Sequence, residues 1–429
     1  MDSLVAEINK SLGGNDDFFQ TNQNLGEVQV VLMGFKSLMD VEKTIQMLKE
    51  KVSRLPLNQV GENLQDQNDG IKGILEGKMI LSIEGSVISV DAVPKTLTRS
   101  IESSTNENIV QGPLNSFNED IDTSIGMIRK QVVSKDLYVK SYAVGTGPKR
   151  ALSVVYRQDQ ADKEFAGSVI RQIETNLDTS LHTVQDVSKV LGLSTRSLIS
   201  PFNTTESPQE VYRNLEKGKI VLFLDRTPFA LVLPGHFQDL FFLENDRNFS
   251  SPIMVSIRLL RMIGTLLALV LPGLYVALVA VNPEMLRIEL ALSVAQSREG
   301  VPYPAFVEVI IILLILELIL EASIRLPKSI GPTITMVGGI ILGQAAVEAR
   351  LVSNLLIIIV AATTIANSTI IGFQNSISIR IFKYLILILS SIFGVFGVLA
   401  GLFLVCSYFA GISTFGMPYL NLKGDGKSG

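Results

Sequence analysis

Residues 285–308 read MLRIELALSVAQSREGVPYPAFVE. At their centre, Ser297-Arg298-Glu299-Gly300-Val301-Pro302-Tyr303-Pro304 sets a charged pair beside glycine and proline, which end a helix and redirect the chain. Long apolar runs flank this turn on both sides, so it belongs to an apolar region and not to an ordinary soluble surface. Working outward, the chain divides near Pro252. Residues before it are polar enough to be soluble, and those after it are mostly apolar.

The bulk figures fit that division. Of 429 residues, 47% are apolar, an ordinary share, yet mean hydropathy is +0.37. The apolar residues are therefore concentrated in one part. A net charge of −4 argues against a nucleic-acid binder, which needs a basic face. One cysteine, Cys406, excludes an internal disulfide framework and a cysteine-cluster metal site. His182 and His236 stand alone, without the i, i+4 spacing of a helical zinc site. Metal-dependent and thiol catalysis are thus disfavoured, and no enzyme activity is expected. The opening MDSLVAEINK lacks a basic segment followed by an apolar core, so the first half is expected in the cytoplasm.

Residues 1–25 are mostly polar and aperiodic, which predicts a flexible lead-in. An α/β region follows, with strands expected at 28–35, 79–83 and 87–90 and a helix carrying Val41, Ile45, Leu48 and Val52 on one face. Beyond Gln111-Gly112-Pro113, Asn118 is expected to cap a helix faced by Ile121, Ile125, Ile128 and Val132. Residues 137–144 and 151–156 read as a hairpin turning at Gly145-Thr146-Gly147-Pro148. Leu75-Glu76-Gly77-Lys78 before one strand is echoed by Leu215-Glu216-Lys217-Gly218-Lys219 before another. The echo suggests two similar α/β subdomains, 26–111 and 112–240, joined by a linker at 241–257 to a membrane domain at 258–420 and a short polar tail at 421–429. No glycine-rich nucleotide loop follows a strand, and no cofactor is expected.

The membrane domain holds five apolar runs, at 262–281, 305–320, 330–347, 351–371 and 384–412. The first matches the ~20 residues that cross a ~30 Å hydrocarbon core. An all-α polytopic domain of four to five helices follows. Glu308 and Glu317 lie in the second run, where a charge costs at least ~2.5–3.5 kcal/mol and so faces a partner or water. Glu321 with Arg325 reads as the interfacial end of that helix. Gly339 with Gly343, and Gly397 with Gly401, have the spacing at which helices approach closely, within the chain or between copies. Thr363, Thr364, Asn367 and Ser368 form one polar stripe on the fourth run, bonding neighbouring helices or lining a wet path. Arginines 247, 258 and 261 place the start of the first run on the cytoplasmic side.

Several stretches resemble one family. They are Gly112-Pro113…Phe117-Asn118-Glu119-Asp120, Lys217-Gly218-Lys219…Pro228-Phe229-Ala230, Arg258-Leu259-Leu260-Arg261 and Glu289-Leu290-Ala291-Leu292-Ser293. The 297–304 turn, Arg325-Leu326-Pro327, Gly343-Gln344-Ala345-Ala346-Val347 and Phe415-Gly416-Met417-Pro418-Tyr419 continue the order. From about 111 to 420 the chain is similar to the GerA family, the A subunits of bacterial spore-germination nutrient receptors. That resemblance implies a cytoplasmic pair of α/β subdomains and a multi-pass domain in the inner spore membrane. It also implies a transporter-like, nutrient-binding B subunit, a C-type lipoprotein subunit, and assembly of copies around an ion pathway. The first subdomain is shorter than the pattern, and the usual basic tail is replaced by 421–429. A secondary transporter and a membrane-anchored scaffold are the rival readings, although no paired inverted repeat is visible.

Overall fold

The computed structural model describes residues 2–25, 28–54, 60–64, 66–83, 86–95, 115–327 and 330–421. The first half contains two units built in the same order. In the first, α1 (Asp2–Leu12), β1 (Phe18–Leu25), β2 (Val28–Phe35), α2 (Val41–Arg54), β3 (Glu62–Asn63), α3 (Gln67–Leu75), β4 (Met79–Ile83) and β5 (Ser86–Val90) give an antiparallel sheet ordered β1-β2-β4-β5-β3. In the second, α4 (Ile121–Gln131), β6 (Leu137–Val144), β7 (Arg150–Arg157), α5 (Lys163–Thr175), α6 (Val184–Val190), β8 (Asn203–Thr205), α7 (Pro208–Glu216), β9 (Ile220–Leu224) and β10 (Ala230–Leu233) give β6-β7-β9-β10-β8. The echoed Leu-Glu segments both fall where the last helix of a unit enters its central strand. Gln111-Gly112-Pro113 lies outside the described residues.

Each sheet has helices on both faces. In β9, Ile220, Leu222 and Leu224 pack towards α5 and α6, while Val221 and Phe223 pack towards α4 and α7. Alternate residues thus enter two different cores, so the strand reads as an unbroken apolar run.

The expected flexible lead-in is instead structural. Ile8 and Leu12 of α1 are buried against Ile71, Ile74 and Ile80. Asn15, Asp16 and Asp17 bind the second unit: Val139 donates to Asn15 Oδ1 at 2.9 Å, and Ser141 to Asp16 Oδ2 at 2.7 Å. Their polarity, which mimics a loop, satisfies donors across this boundary. The cap of α4 also differs from expectation. Asp120 accepts from Thr123 N at 3.0 Å, whereas Asn118 Oδ1 braces Asp120 N at 3.2 Å.

Residues 241–257 are not a loose linker. Short 3-10 turns at Phe237–Leu240 and Glu244–Asn248 lead directly into α8 (Ser251–Val276). Arg261 of α8 reaches back to Asp246 through both nitrogens, at 2.6 and 3.0 Å, and to the Phe241 carbonyl. Then come α9 (Ile288–Ser297), α10 (Ala305–Arg325), α11 (Gly331–Glu348), α12 (Asn354–Asn367) and α13 (Phe373–Gly411). A small hairpin, β11 (Ser413–Thr414) with β12 (Met417–Pro418), follows. It returns to the second unit, where Phe415 meets Phe165 and Phe237 N donates to the Tyr419 carbonyl.

Among the described residues, the five apolar runs make six apolar helices, because α13 doubles back. Gly394 has φ 62° and ψ −139°, outside the helical region. A Cβ on Gly397 would stand 2.1 Å from the Leu389 carbonyl oxygen, and one on Gly401 would stand 2.9 Å from Ile386 Cγ1. The arms 373–393 and 395–411 are therefore antiparallel neighbours, and their glycines permit that approach. By length and composition, Ser251–Val281 is long and apolar enough to cross a membrane. The 39 residues of α13 pass the same test, but as a hairpin of two shorter arms.

Candidate functional site

Large apolar side chains face outward along the helical half. Leu260 is 65% exposed, Leu318 69%, Ile365 70% and Phe403 72%. Against that background, the charged residues of the second run occupy two separate places. Glu308 and Glu317 are nine residues apart, about 180° around a helix at ~100° per residue, so one helix delivers them to different neighbours.

Glu308 is fully buried. Arg298, the C-cap of α9, donates to Glu308 Oε1 through Nε at 2.9 Å and Nη2 at 2.7 Å, and also to the Tyr303 carbonyl. Ser353, which caps α12, donates its amide to Glu308 Oε2 at 3.4 Å, and its hydroxyl lies 3.2 Å from Tyr275 Oη. This cluster joins α8, α9, α10 and α12. The Gly300 break lets Arg298 turn back, so the charged turn read first from the sequence is the partner of the buried carboxylate. Glu299 is exposed.

Glu317 accepts from Arg380 Nη1 at 2.7 Å and from Lys383 Nζ at 3.5 Å, linking α10 to the first arm of α13. Lys383 is buried, so the two helices exchange charge within an otherwise apolar layer. Sequence reasoning named no partner for Glu317, because Arg380 and Lys383 lie 63 and 66 positions away on another helix. Their spacing of three residues on one helical face was the available signal. Glu321 and Arg325 pair on their own helix at 2.6 Å.

The polar stripe of the fourth run is divided. Thr363 is buried, and Thr363 and Thr364 donate to the carbonyls of Ile359 and Val360 in their own helix. Ser368 donates to Thr364 O, while Asn367 donates to Ser376 Oγ of α13 at 2.8 Å. At 14 residues, α12 is about 21 Å long at ~1.5 Å per residue, shorter than the apolar run that contains it. Gly397 and Gly401 pack within the α13 hairpin, whereas Gly339 and Gly343 of α11 have no described atom within 4 Å of where a Cβ would stand.

Where the two halves meet, Asp239 accepts from Lys219 Nζ at 2.9 Å and from His236 N at 2.8 Å. Burial pushes the Asp239 carboxyl up, but the Lys219 ammonium and the amide outweigh it and hold its pKa below the usual value. A depressed carboxylate stabilises the fold above its unfolded pKa of about 3.9, and that stabilisation fades as pH falls towards the folded value. The junction therefore keeps this contribution at neutral pH.

The model of the family described as Bacillus/Clostridium GerA spore germination protein matches residues 8–425. Spore germination protein GerLA of Bacillus cereus is 32% identical over 355 residues, covering 82% of this chain and 72% of that protein. Spore germination protein A1 of Bacillus subtilis (strain 168) is 30% identical over 442 residues, covering 99% and 90%. The crystal structure of the N-terminal domain of the A subunit of the Bacillus megaterium spore germinant receptor GerK3 is 21% identical. It covers 54% of this chain and 94% of that one at a TM-score of 0.41. The family match begins within α1 and takes in both α/β units and the helical half, and the chain belongs to the GerA family of spore germination proteins.

Proposed function

We propose that this chain is the membrane subunit of a spore germinant receptor, and that it forms or gates the ion pathway whose opening starts germination. Family membership over residues 8–425 carries the reading. In this reading the α/β half lies in the cytoplasm, and six helices cross the inner spore membrane. Arg261 anchors the start of α8 to the α/β half, and Asn282 at its far end meets the Gly394 turn. Ser378 and Tyr408, near the open ends of the α13 hairpin, bond to Leu198 of the second unit. Those contacts support two further passes and a C-terminus on the cytoplasmic side. Between them, α10, α11 and α12 make one pass each, the short α12 being completed by the buried turn at Val352 and Ser353. The partners are a transporter-like, nutrient-binding B-type subunit, a C-type lipoprotein subunit and further copies of this chain. The open Gly339–Gly343 face suits close packing by another helix. Thr364 and Ser368 keep lone pairs that a hydrated ion can use.

Glu317→Gln tests the functional part. The amide cannot balance Arg380 and Lys383, so nutrient-triggered germination should fall severalfold while subunit abundance stays near normal. Germination at the parental rate with normal abundance would sink the proposal.

Orientation is tested separately with Thr146→Cys at the exposed β6–β7 turn, in a Cys406→Ser background because Cys406 is itself exposed. A membrane-impermeant thiol reagent should label it only after the membrane is permeabilised. Labelling in intact cells would reverse the topology.

A further inference from the structure

Helix α9, between the far end of α8 and the start of α10, is fastened only where it ends. Ser297 Oγ accepts from Leu355 N at 3.3 Å, and Arg298 holds Glu308. Leu355 and Glu308 lie in the first turns of α12 and α10. Among the described residues, no hydrogen bond or ion pair joins 288–296 to another helix, and Ser293 donates to Glu289 O within α9 itself. Just before α9, Asn282 meets the Gly394 turn. The helix therefore lies at the level where α10 and α12 begin and α13 turns back.

No residue of α9 is buried, yet its faces differ. At ~100° per residue, Ile288, Leu292 and Ala295 fall on one line. All three are exposed, Ile288 at 84% and Leu292 at 60%. The exposed Glu289, Ser293 and Gln296 make a second line about a quarter-turn away, and the half-buried Ala291 and Val294 make a third edge towards the bundle. Leu290 is the one exposed apolar residue of α9 that lies off the first line. Apolar and polar faces side by side on one short helix are what a bilayer surface selects.

The surroundings identify what covers the apolar line. Ile392, Phe393 and Phe396, on both sides of the Gly394 turn, are exposed, so the apolar exterior of the helical half continues to the level of α9. Exposed charges from 284 to 299 are Glu284, Arg287, Glu289 and Glu299, three acidic and one basic. That balance offers no attraction to anionic headgroups, so apolar contact must hold the helix.

We infer that α9 is a membrane-surface helix, lying in the leaflet far from the α/β half with Ile288, Leu292 and Ala295 at the acyl boundary. Glu289 and Gln296 stay with headgroups and water. The lipid surface thereby seats the 297–304 turn, and with it Arg298 against Glu308. The inference rests on the membrane-crossing reading of the helices, but not on which nutrient or ion the receptor handles.

The sequence contains no tryptophan, so a single introduced one reports its own surroundings. The test uses the purified full chain in phosphatidylcholine nanodiscs, with and without bromine on the acyl chains, and iodide as the aqueous quencher. Leu292→Trp and Ile288→Trp should emit at shorter wavelength than Gln296→Trp. Lipid brominated near the headgroup should quench them severalfold more strongly than it quenches Gln296→Trp, and iodide should show the reverse order. Iodide quenching of Leu292→Trp equal to that of Gln296→Trp would overturn the inference, because the apolar line would then face water. Quenching of Leu292→Trp by neither agent would also overturn it, because protein would then cover the line. Phe403→Trp, midway along the second arm of α13, should be quenched by lipid brominated near the chain end. If it is not, the membrane-crossing reading fails, and the surface helix falls with it.

Discussion

Gly394→Ala should prevent the helical half from reaching its folded form, the largest effect expected of a single methyl group in this chain. Two costs coincide at this position. With φ 62° and ψ −139°, the backbone occupies a region close to one that only glycine adopts readily, which costs another residue about 1–3 kcal/mol. The added Cβ would also stand 1.9 Å from Asn282 Oδ1 and 2.9 Å from Val281 Cγ1. Asn282 cannot simply move away, because its Oδ1 accepts from Val395 N at 3.0 Å and so caps the second arm of α13. Full-length protein recovered from membranes should fall severalfold, and any remainder should melt at lower temperature. Adding Asn282→Gly to Gly394→Ala removes the closest clash but leaves the backbone cost and the approach to Val281, so recovery should be partial. Asn282→Ala alone should cost about 1 kcal/mol, the worth of one cap. Parental yield and melting temperature for Gly394→Ala would show that the chain does not turn back there.

The second large effect is expected in the α/β half. Arg129 of α4 is 2% exposed, and Asp17, just before β1, is 6% exposed. Arg129 donates to Asp17 through Nε and Nη2, both at 2.6 Å, and to Asn15 Oδ1 at 3.2 Å. Its guanidinium lies 3.7 Å from the centre of the Phe35 ring, and Ser37 Oγ donates to Asp17 Oδ2 at 2.9 Å. Asp17→Ala strands a buried cation between the two units and should cost about 3–5 kcal/mol, read from thermal unfolding of the purified full chain. Removing both charges, in Asp17→Leu with Arg129→Met, should cost much less than Asp17→Ala alone, because no unpaired ion remains. If the double variant were as unstable as the single one, the loss would come from packing and not from charge.

The amino-acid sequence by itself determined the α/β character of the first half, the apolar character of the second and the family, and its Leu-Glu echo suggested two α/β units. Each of these rests on local composition, on side-chain period or on ordered motifs, all of which a linear reading can register. Tertiary structure decided which groups meet. Residues 15–17 look like a polar loop until Arg129, 112 positions later in sequence, supplies their partner. Arg298 and Glu308 were both visible as charges, but only the Gly300 break and the close approach of α12 make them one cluster. Glu317 found Arg380 and Lys383 across 63 and 66 residues. The run at 384–412 reads as one long helix because hydropathy does not encode direction. A single glycine with positive φ, held by an asparagine from another helix, turns it into two.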